Sequence, residues 1–251
     1  MDFKKDEVLA ERLGKIIYRS GEYCVKLFDE NYSKANVLNE ALNQARVEET
    51  NLNIPKIIEV CKIDGKWAIV LEYIKGKNLA QLMAENPEKE DEYLEQFVNL
   101  QTLVHKQEAP MLNRIRDKMK RKLDEADLDA TTRYDLQMRL ESLPRYDKVC
   151  HGDFNPSNVI IAENGKEYII DWSHATQGNT LEDVARTFLM FSLDGKEELA
   201  KKYVDLFCKK NDVAKQLVQK WIPIVAASQS VKNKPEEKEL LTKWIDVVEY
   251  E

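Results

Sequence analysis

The chain has 251 residues, 43% of them hydrophobic and 33% charged, and a formal net charge of −7. This composition suits a soluble globular protein and excludes both the apolar-poor signature of disorder and the saturated one of a membrane protein. The acidic balance argues against nonspecific nucleic-acid binding through a basic field, and the length fits one large domain or a two-lobed one.

Taken in order, "MDFKKDEVLAERLGKIIYRSG" interrupts every apolar stretch with charge before a signal-peptide core or membrane span can form, so a cytoplasmic protein without a membrane partner is expected. "KIIYR" and "EYCVKLF" are β-branched and aromatic runs with "SGE" between them as a hairpin turn. In "ANVLNEALNQARVEE", Leu38, Ala41, Leu42 and Ala45 recur at the spacing of an amphipathic helix. "PKIIEVCKI", "DG" and "KWAIVLEYI" read as a second hairpin. From Leu79 the period becomes helical, through Asp91 to Gln107 and again from Asn113 to Leu143, with Pro110 and Pro144 as punctuation.

"VCHGDFNPSNVII" and "GKEYIID" then form two short strands joined by "ENGK", where Asn-Gly is a strong hairpin signal. From Leu181 the sequence is helical again, broken near Pro223 and Pro235. The chain therefore reads as α+β: residues 1–74 a small antiparallel sheet lobe with one main helix, residues 75–251 a larger helical lobe, and a cleft between them. Cys24, Cys61, Cys150 and Cys208 are far apart with no CxxC pair, which fits reduced, mostly buried thiols rather than a disulfide framework or thiolate zinc site.

The chemistry concentrates at residues 151–171. Asp153 and Asn158 sit on a loop opened by Gly152 and stiffened by Pro156, and the hairpin that follows returns Asp171 beside Asn158. One carboxylate is then available as a base, next to an Asn/Asp pair of hard oxygen ligands of the kind magnesium takes when it also holds substrate phosphates. The five-residue step from Asp153 to Asn158, with a strand-ending aspartate beyond, is the arrangement of kinase catalytic loops.

"HGDFNPSN" followed by "IIDW" resembles the aminoglycoside phosphotransferase and choline kinase family, a branch of the protein-kinase-like fold. The resemblance implies an ATP-dependent kinase acting on an alcohol hydroxyl of a small molecule, with aminoglycosides, choline and ethanolamine among the candidate, often cationic, acceptors. It implies Asp153 as catalytic base, His151 as the residue orienting its loop, and Asn158 and Asp171 as ligands of Mg2+. Lys26 of "YCVKLF" matches the strand lysine that holds the nucleotide phosphates. Glu40 matches its glutamate partner, with Glu48 as the alternative. The backbone of Glu72, Tyr73 and Ile74 in "VLEYIKGKNL" matches the adenine-binding linker, and His105 a structural helix histidine. Where protein kinases carry a glycine-rich loop, this chain has only Gly14.

Other readings compete with this one. A protein kinase is disfavoured by Gly152 before Asp153 and by Trp172-Ser173 after Asp171, and a nucleotide-binding scaffold by the presence of every catalytic position. Asp183 reads as a helix-start carboxylate and His174 as a hydrogen-bonded structural residue. Trp172, Trp221, Trp244 and Tyr250 favour core packing over a quaternary-ammonium cage. Glu236, Glu237, Glu239, Asp246, Glu249 and Glu251 fit a solvated helix face or an amino-sugar site equally well.

Overall fold

The computed structural model describes residues 3–12 and 14–246. The elements run β1 (Glu7–Arg12), β2 (Lys15–Ser20), β3 (Tyr23–Phe28), α1 (Lys34–Glu48), β4 (Ile57–Ile63), β5 (Lys66–Glu72), β6 (Gly76–Asn78) and α2 (Leu79–Glu85). They continue with α3 (Glu90–His105), α4 (Ile115–Glu125), α5 (Ala130–Ser142), β7 (Lys148–Cys150), β8 (Val159–Ala162), β9 (Glu167–Ile169) and β10 (Thr176–Gly178). Helices α6 (Thr180–Leu193), α7 (Glu197–Asn211), α8 (Lys215–Gln219), α9 (Ile222–Ser230) and α10 (Lys238–Ile245) complete the order.

Packing divides the chain into two compact units. One runs to Pro87 and takes in Pro156–Ala175; the other is Glu88–Asn155 with Thr176 onward. This grouping is not the linear division at residue 74, because β6 pairs with β8 and β8 with β9, which ties the second hairpin pair to the N-terminal segment.

The first unit is built on an antiparallel sheet of order β1-β2-β3-β5-β4. Alternation along β3 sends Val25 to one face, with Phe3, Tyr18, Ala68 and Val70, and Phe28 to the other, where Ile69, Leu71 and α1 cover it. The β4–β5 turn uses Asp64 and Gly65, both at positive φ, the backbone that lets two strands reverse in two residues.

Two expectations are corrected here, and one strand went unread. The N-terminal strand β1 carried no period-2 signal because its residues are nearly all solvent-exposed. The stretch from Asn113 to Leu143 is two helices, since Asp129 caps a new start by accepting from the backbone N–H groups of Thr131 and Thr132. The stripe of Leu38, Ala41, Leu42 and Ala45 is not the buried face of α1. Leu38 and Leu42 are exposed, whereas Val37, Glu40, Ala41, Asn43, Gln44 and Val47 are buried. The helix turns a mixed polar face inward, and an apolarity pattern cannot find such a face.

In the second unit, β7 pairs with β10, Cys150 opposite Thr176, and an aromatic cluster supports the loop after β7. Phe154 stacks on Phe97 with ring centroids 4.6 Å apart, and Phe191 and Tyr203 close around Phe97. Trp172, in the first unit, and Trp221, in the second, are core residues with at most 1% exposure, and Trp244 packs edge-on against Phe188. Tyr250, Glu249 and Glu251 lie outside the described residues. Among the described residues no helix is long and apolar enough to cross a membrane.

Gly76 marks where β6 meets β8 at closest approach: a Cβ there would stand 2.2 Å from the Ile161 carbonyl oxygen, against backbone that cannot yield. Gly76→Ala is expected to lose about 1–3 kcal/mol of stability, the usual range for forced overpacking, measured as a lower urea midpoint with an unchanged slope.

Candidate active site

The first unit holds a cavity of about 470 Å³ lined by Ile17, Cys24, Lys26, Ile74, Asn158 and Asp171, among others. Lys26 reaches it because its strand neighbours Cys24 and Phe28 face α1, and position 26 shares that face. Its Nζ donates to Glu40 Oε1 at 2.7 Å and to Asp171 Oδ1 at 3.0 Å. Burial disfavours the ammonium, but the Asp171 and Glu40 carboxylates outweigh it and raise the lysine above its ordinary value, so it is held as a cation. The second oxygen of Glu40 lies 3.5 Å from Lys15 Nζ. Glu48, the alternative partner, instead accepts from the Ile57 backbone N–H at 2.7 Å and pins the start of β4.

Asp171 occupies the left-handed region at φ 64°, ψ 61°, a conformation that is uncommon for a residue other than glycine. One residue separates it from the end of β9, and that residue's N–H, of Ile170, donates to the Asn158 carbonyl at 2.9 Å, so the hairpin brings Asp171 and Asn158 together. At the end of β5, the N–H groups of Glu72 and Tyr73 donate to Lys56 and Glu22 carbonyls. The Ile74 N–H has no partner among the described residues and stands at the cavity wall. Of the three linker residues singled out from sequence, only Ile74 therefore keeps a free backbone donor.

The second unit holds residues 151–155. Gly152 has φ +78°, which favours a residue without Cβ. Its N–H donates to Asp183 Oδ1 at 2.7 Å, and the His151 N–H to Asp183 Oδ2 at 3.1 Å. The same carboxylate is 3.0 Å from His105 Nε2. Burial alone would raise Asp183, but the hydrogen bond from His105, the fields of the His105 and His151 rings and the Gly152 N–H lower it to about 2.

The fully buried His151 accepts from the Asp153 N–H through Nδ1 at 3.2 Å, so its ring fixes the backbone of the residue two positions on. The Thr187 hydroxyl donates to the Phe154 carbonyl at 2.8 Å, and Arg186 Nε to the Gly152 carbonyl at 2.6 Å. Asp153 is left half-buried with its carboxylate on the loop, Asn155 Nδ2 standing 3.4 Å from Oδ2.

Sequence reading missed Arg186 and Thr187, and it placed Asp183 in the first turn of its helix without the loop it holds. Asp183 is not the cap of α6, whose N-cap is Asn179, accepting from the Leu181 N–H. The available signal was their spacing: positions 183, 186 and 187 share one helix face, and polar groups on one stripe of a largely buried helix mark a bonded partner. His174 is exposed and belongs to the first unit.

Comparison with known proteins adds three findings. Residues 15–217 match the model of the phosphotransferase enzyme family. The fold is shared with a thermostable mutant of aminoglycoside phosphotransferase APH(4)-Ia solved in ternary complex with AMP-PNP and hygromycin B (16% identity, 95% of this chain and 90% of that one, TM-score 0.69). It is shared also with choline kinase LicA from Streptococcus pneumoniae (16% identity, 95% and 87% coverage, TM-score 0.61). A choline/ethanolamine kinase family protein from Mesorhizobium loti is similar at 15% identity, 96% and 88% coverage and TM-score 0.61. The architecture is thus α+β and protein-kinase-like. No curated protein sequence matched.

Beside Asp183, Glu182 is fully buried and neither of its oxygens has a hydrogen-bond partner. Burial pushes its carboxyl up to about 7, opposed by Lys118 and Arg186. A carboxyl whose folded value exceeds its unfolded one stabilises most below the unfolded value, near 4.3. That stability is lost as pH rises through about 7. Glu182→Gln should therefore gain on the order of 1–3 kcal/mol relative to the parent between pH 5 and pH 8. Urea denaturation at both pH values checks this; a pH-independent difference would mean the carboxyl is ionised throughout.

Proposed function

We propose that this chain, which belongs to the phosphotransferase enzyme family, transfers the γ-phosphoryl group of ATP to an alcohol hydroxyl of a small molecule. The observation that carries the reading is Lys26, a buried cation pinned between Glu40 and Asp171 at the wall of a cavity large enough for a nucleotide. Membership of the family supports the enzyme class, a phosphotransferase with an alcohol group as acceptor. Two similar structures, holding AMP-PNP or ADP, support ATP as the donor.

In this reading the Ile74 N–H and nearby carbonyls receive adenine between apolar walls such as Ile17 and Ile170, and Lys26 meets the nucleotide phosphates. Asn158 and Asp171 are the donors suited to magnesium: two hard oxygens leave the remaining positions of an octahedral ion to phosphates and water. When bound, that ion offsets charge on the transferred group. Among the described residues no group of three or more His, Cys, Asp or Glu forms a metal cage, as fits an ion held partly by its substrate.

Asp153 orients the acceptor hydroxyl and takes its proton. The hydroxyl oxygen forms a bond to the γ-phosphorus while the bridging bond to the β-phosphate oxygen breaks, and ADP leaves. His151 is a positioning residue, because it holds the Asp153 backbone. Aminoglycosides, choline and ethanolamine are acceptors of the kind handled by similar proteins, and the chain's negative balance admits cationic ones.

ATP consumption and Mg2+-dependent thermal stabilisation by ATP test the reading, with a panel of hydroxyl compounds as acceptors. Asp153→Asn is expected to lower kcat about 10²- to 10⁴-fold while the nucleotide still raises Tm. Lys26→Met should instead weaken the nucleotide shift itself. Full activity in Asp153→Asn would remove that residue as the base, and no ATP shift in the parent at millimolar nucleotide would favour a scaffold.

A further inference from the structure

The cavity of the first unit is charged unevenly along its length. Glu7 opens β1 opposite Arg19, whose guanidinium lies 4.7 Å from the Tyr73 ring centroid, so the start of β1 lies beside the linker. Glu7 and Glu72 line the cavity at that end. Arg12 lines it five residues further on, roughly 16 Å along the strand. Of the other charges in the lining, Lys26 and Asp171 already answer each other at 3.0 Å.

Arg12 has a second cation beside it. It pairs with Lys15 across the β1–β2 ladder, and residues opposite each other on antiparallel strands share a face, as do residues two apart on one strand. Ala10 and Ile17, the pair two residues inward, both line the cavity, so Arg12 and Lys15 lie on the cavity's face of the sheet. The Lys15 side chain is 13% exposed, with Nζ 3.5 Å from Glu40 Oε2, while Lys26 takes Oε1 of the same carboxylate at 2.7 Å. Three cations therefore meet two carboxylates, Glu40 and Asp171, and Arg12 has no ion pair among the described residues. Like charges directly opposite on paired strands are destabilising, so the Arg12–Lys15 pair weakens the ligand-free sheet unless an anion joins it.

The turn that carries this pair is held from behind. Gly14 has φ +78°, its carbonyl accepts from the Asp29 N–H at 2.9 Å, and a Cβ at Gly14 would stand 3.2 Å from the Tyr32 ring. Tyr32 in turn packs on Phe28 with ring centroids 4.8 Å apart, and Lys15 Nζ lies 5.8 Å from the centre of the Phe28 ring. In protein kinases a glycine-rich loop covers the nucleotide phosphates. A single-glycine turn fixed in this way has side-chain charge to offer instead.

We propose that Arg12 and Lys15 bind the terminal phosphates of the nucleotide together with Lys26, their charge taking the place of a glycine-rich loop. This rests on the reading of the cavity as the ATP site. Affinity then depends on how many phosphates the nucleotide carries.

The test titrates ATP and, separately, AMP into the full chain with Mg2+ present, with Tm as the readout. ATP is expected to act at lower concentration than AMP. Lys15→Gln and Arg12→Gln should each raise the ATP concentration needed for a given shift about tenfold, the loss of one charge-assisted contact, and leave the AMP response unchanged. Lys15→Arg restores the ATP response. Because it relieves a like-charge pair, Arg12→Gln should keep or raise the ligand-free Tm. An ATP response equal to the parent's in both variants overturns the proposal and leaves the ATP reading intact. Equal weakening for ATP and AMP, or a ligand-free Tm that falls in Arg12→Gln, assigns the cations to the fold and also overturns it. No ATP shift in the parent would strike the ATP reading and this proposal with it.

Discussion

A carboxylate with no exposure at all needs its charge answered by fixed donors, and much of the second unit depends on how Asp183 meets that demand. Two consecutive backbone N–H groups, from His151 and Gly152, and the ring of His105 converge on its oxygens. The first two belong to the loop that carries Asp153, so the solvation of one buried charge also fixes the path of that loop. Gly152 must be glycine-like for its N–H to reach the carboxylate, since the geometry requires positive φ. The loop's carbonyls are held from the same helix, Gly152 by Arg186 and Phe154 by Thr187. Helix α6 thus acts as a template of three polar side chains, and backbone amides and carbonyls, rather than loop side chains, read it.

The first unit solves the opposite problem. There a cation is buried, and two carboxylates from different elements compensate it, Glu40 from α1 and Asp171 from the end of the β8–β9 hairpin. A buried triad of this kind is weak evidence for stability, because desolvation offsets most of the attraction; its value is registry. Lys26 can satisfy both partners only if β3, α1 and the hairpin hold their relative positions, which the Asn43 amide reinforces by donating to the Ser173 carbonyl. Asp171 tolerates a left-handed backbone in the same place, an outlier consistent with a position selected for the direction of its carboxylate.

Much of this was legible in the sequence because its signals are local. The Asp-Gly and Asn-Gly turns, the β-branched strands and the fixed interval from Asp153 to Asn158 each depend on residues a few positions apart. The hairpin that returns Asp171 to Asn158 follows from Asn164-Gly165 alone. What escaped depends on partners distant in sequence. The inner face of α1 is polar because it meets Lys26 and the Pro55 and Ser173 carbonyls, so counting apolar residues selected the outer face. Asp183 looked like a helix cap because that is the commonest use of an aspartate there; its actual partners lie some thirty and eighty residues earlier. Strand β1 is exposed along its length and had no alternation to offer.

The low identity to similar structures, 14–16% with the fold retained, is consistent with this division. An apolar core tolerates wide exchange provided volume and pattern are kept, so sequence identity in it decays without loss of fold. A buried polar constellation tolerates little, because removing one member strands the others. The groups that hold a loop or a phosphate should therefore persist, while those facing the acceptor are free to change with it. Arg186 belongs to the persistent group: its Nε donates to the Gly152 carbonyl and its Nη1 to Gln229, so one buried guanidinium joins the loop to α9.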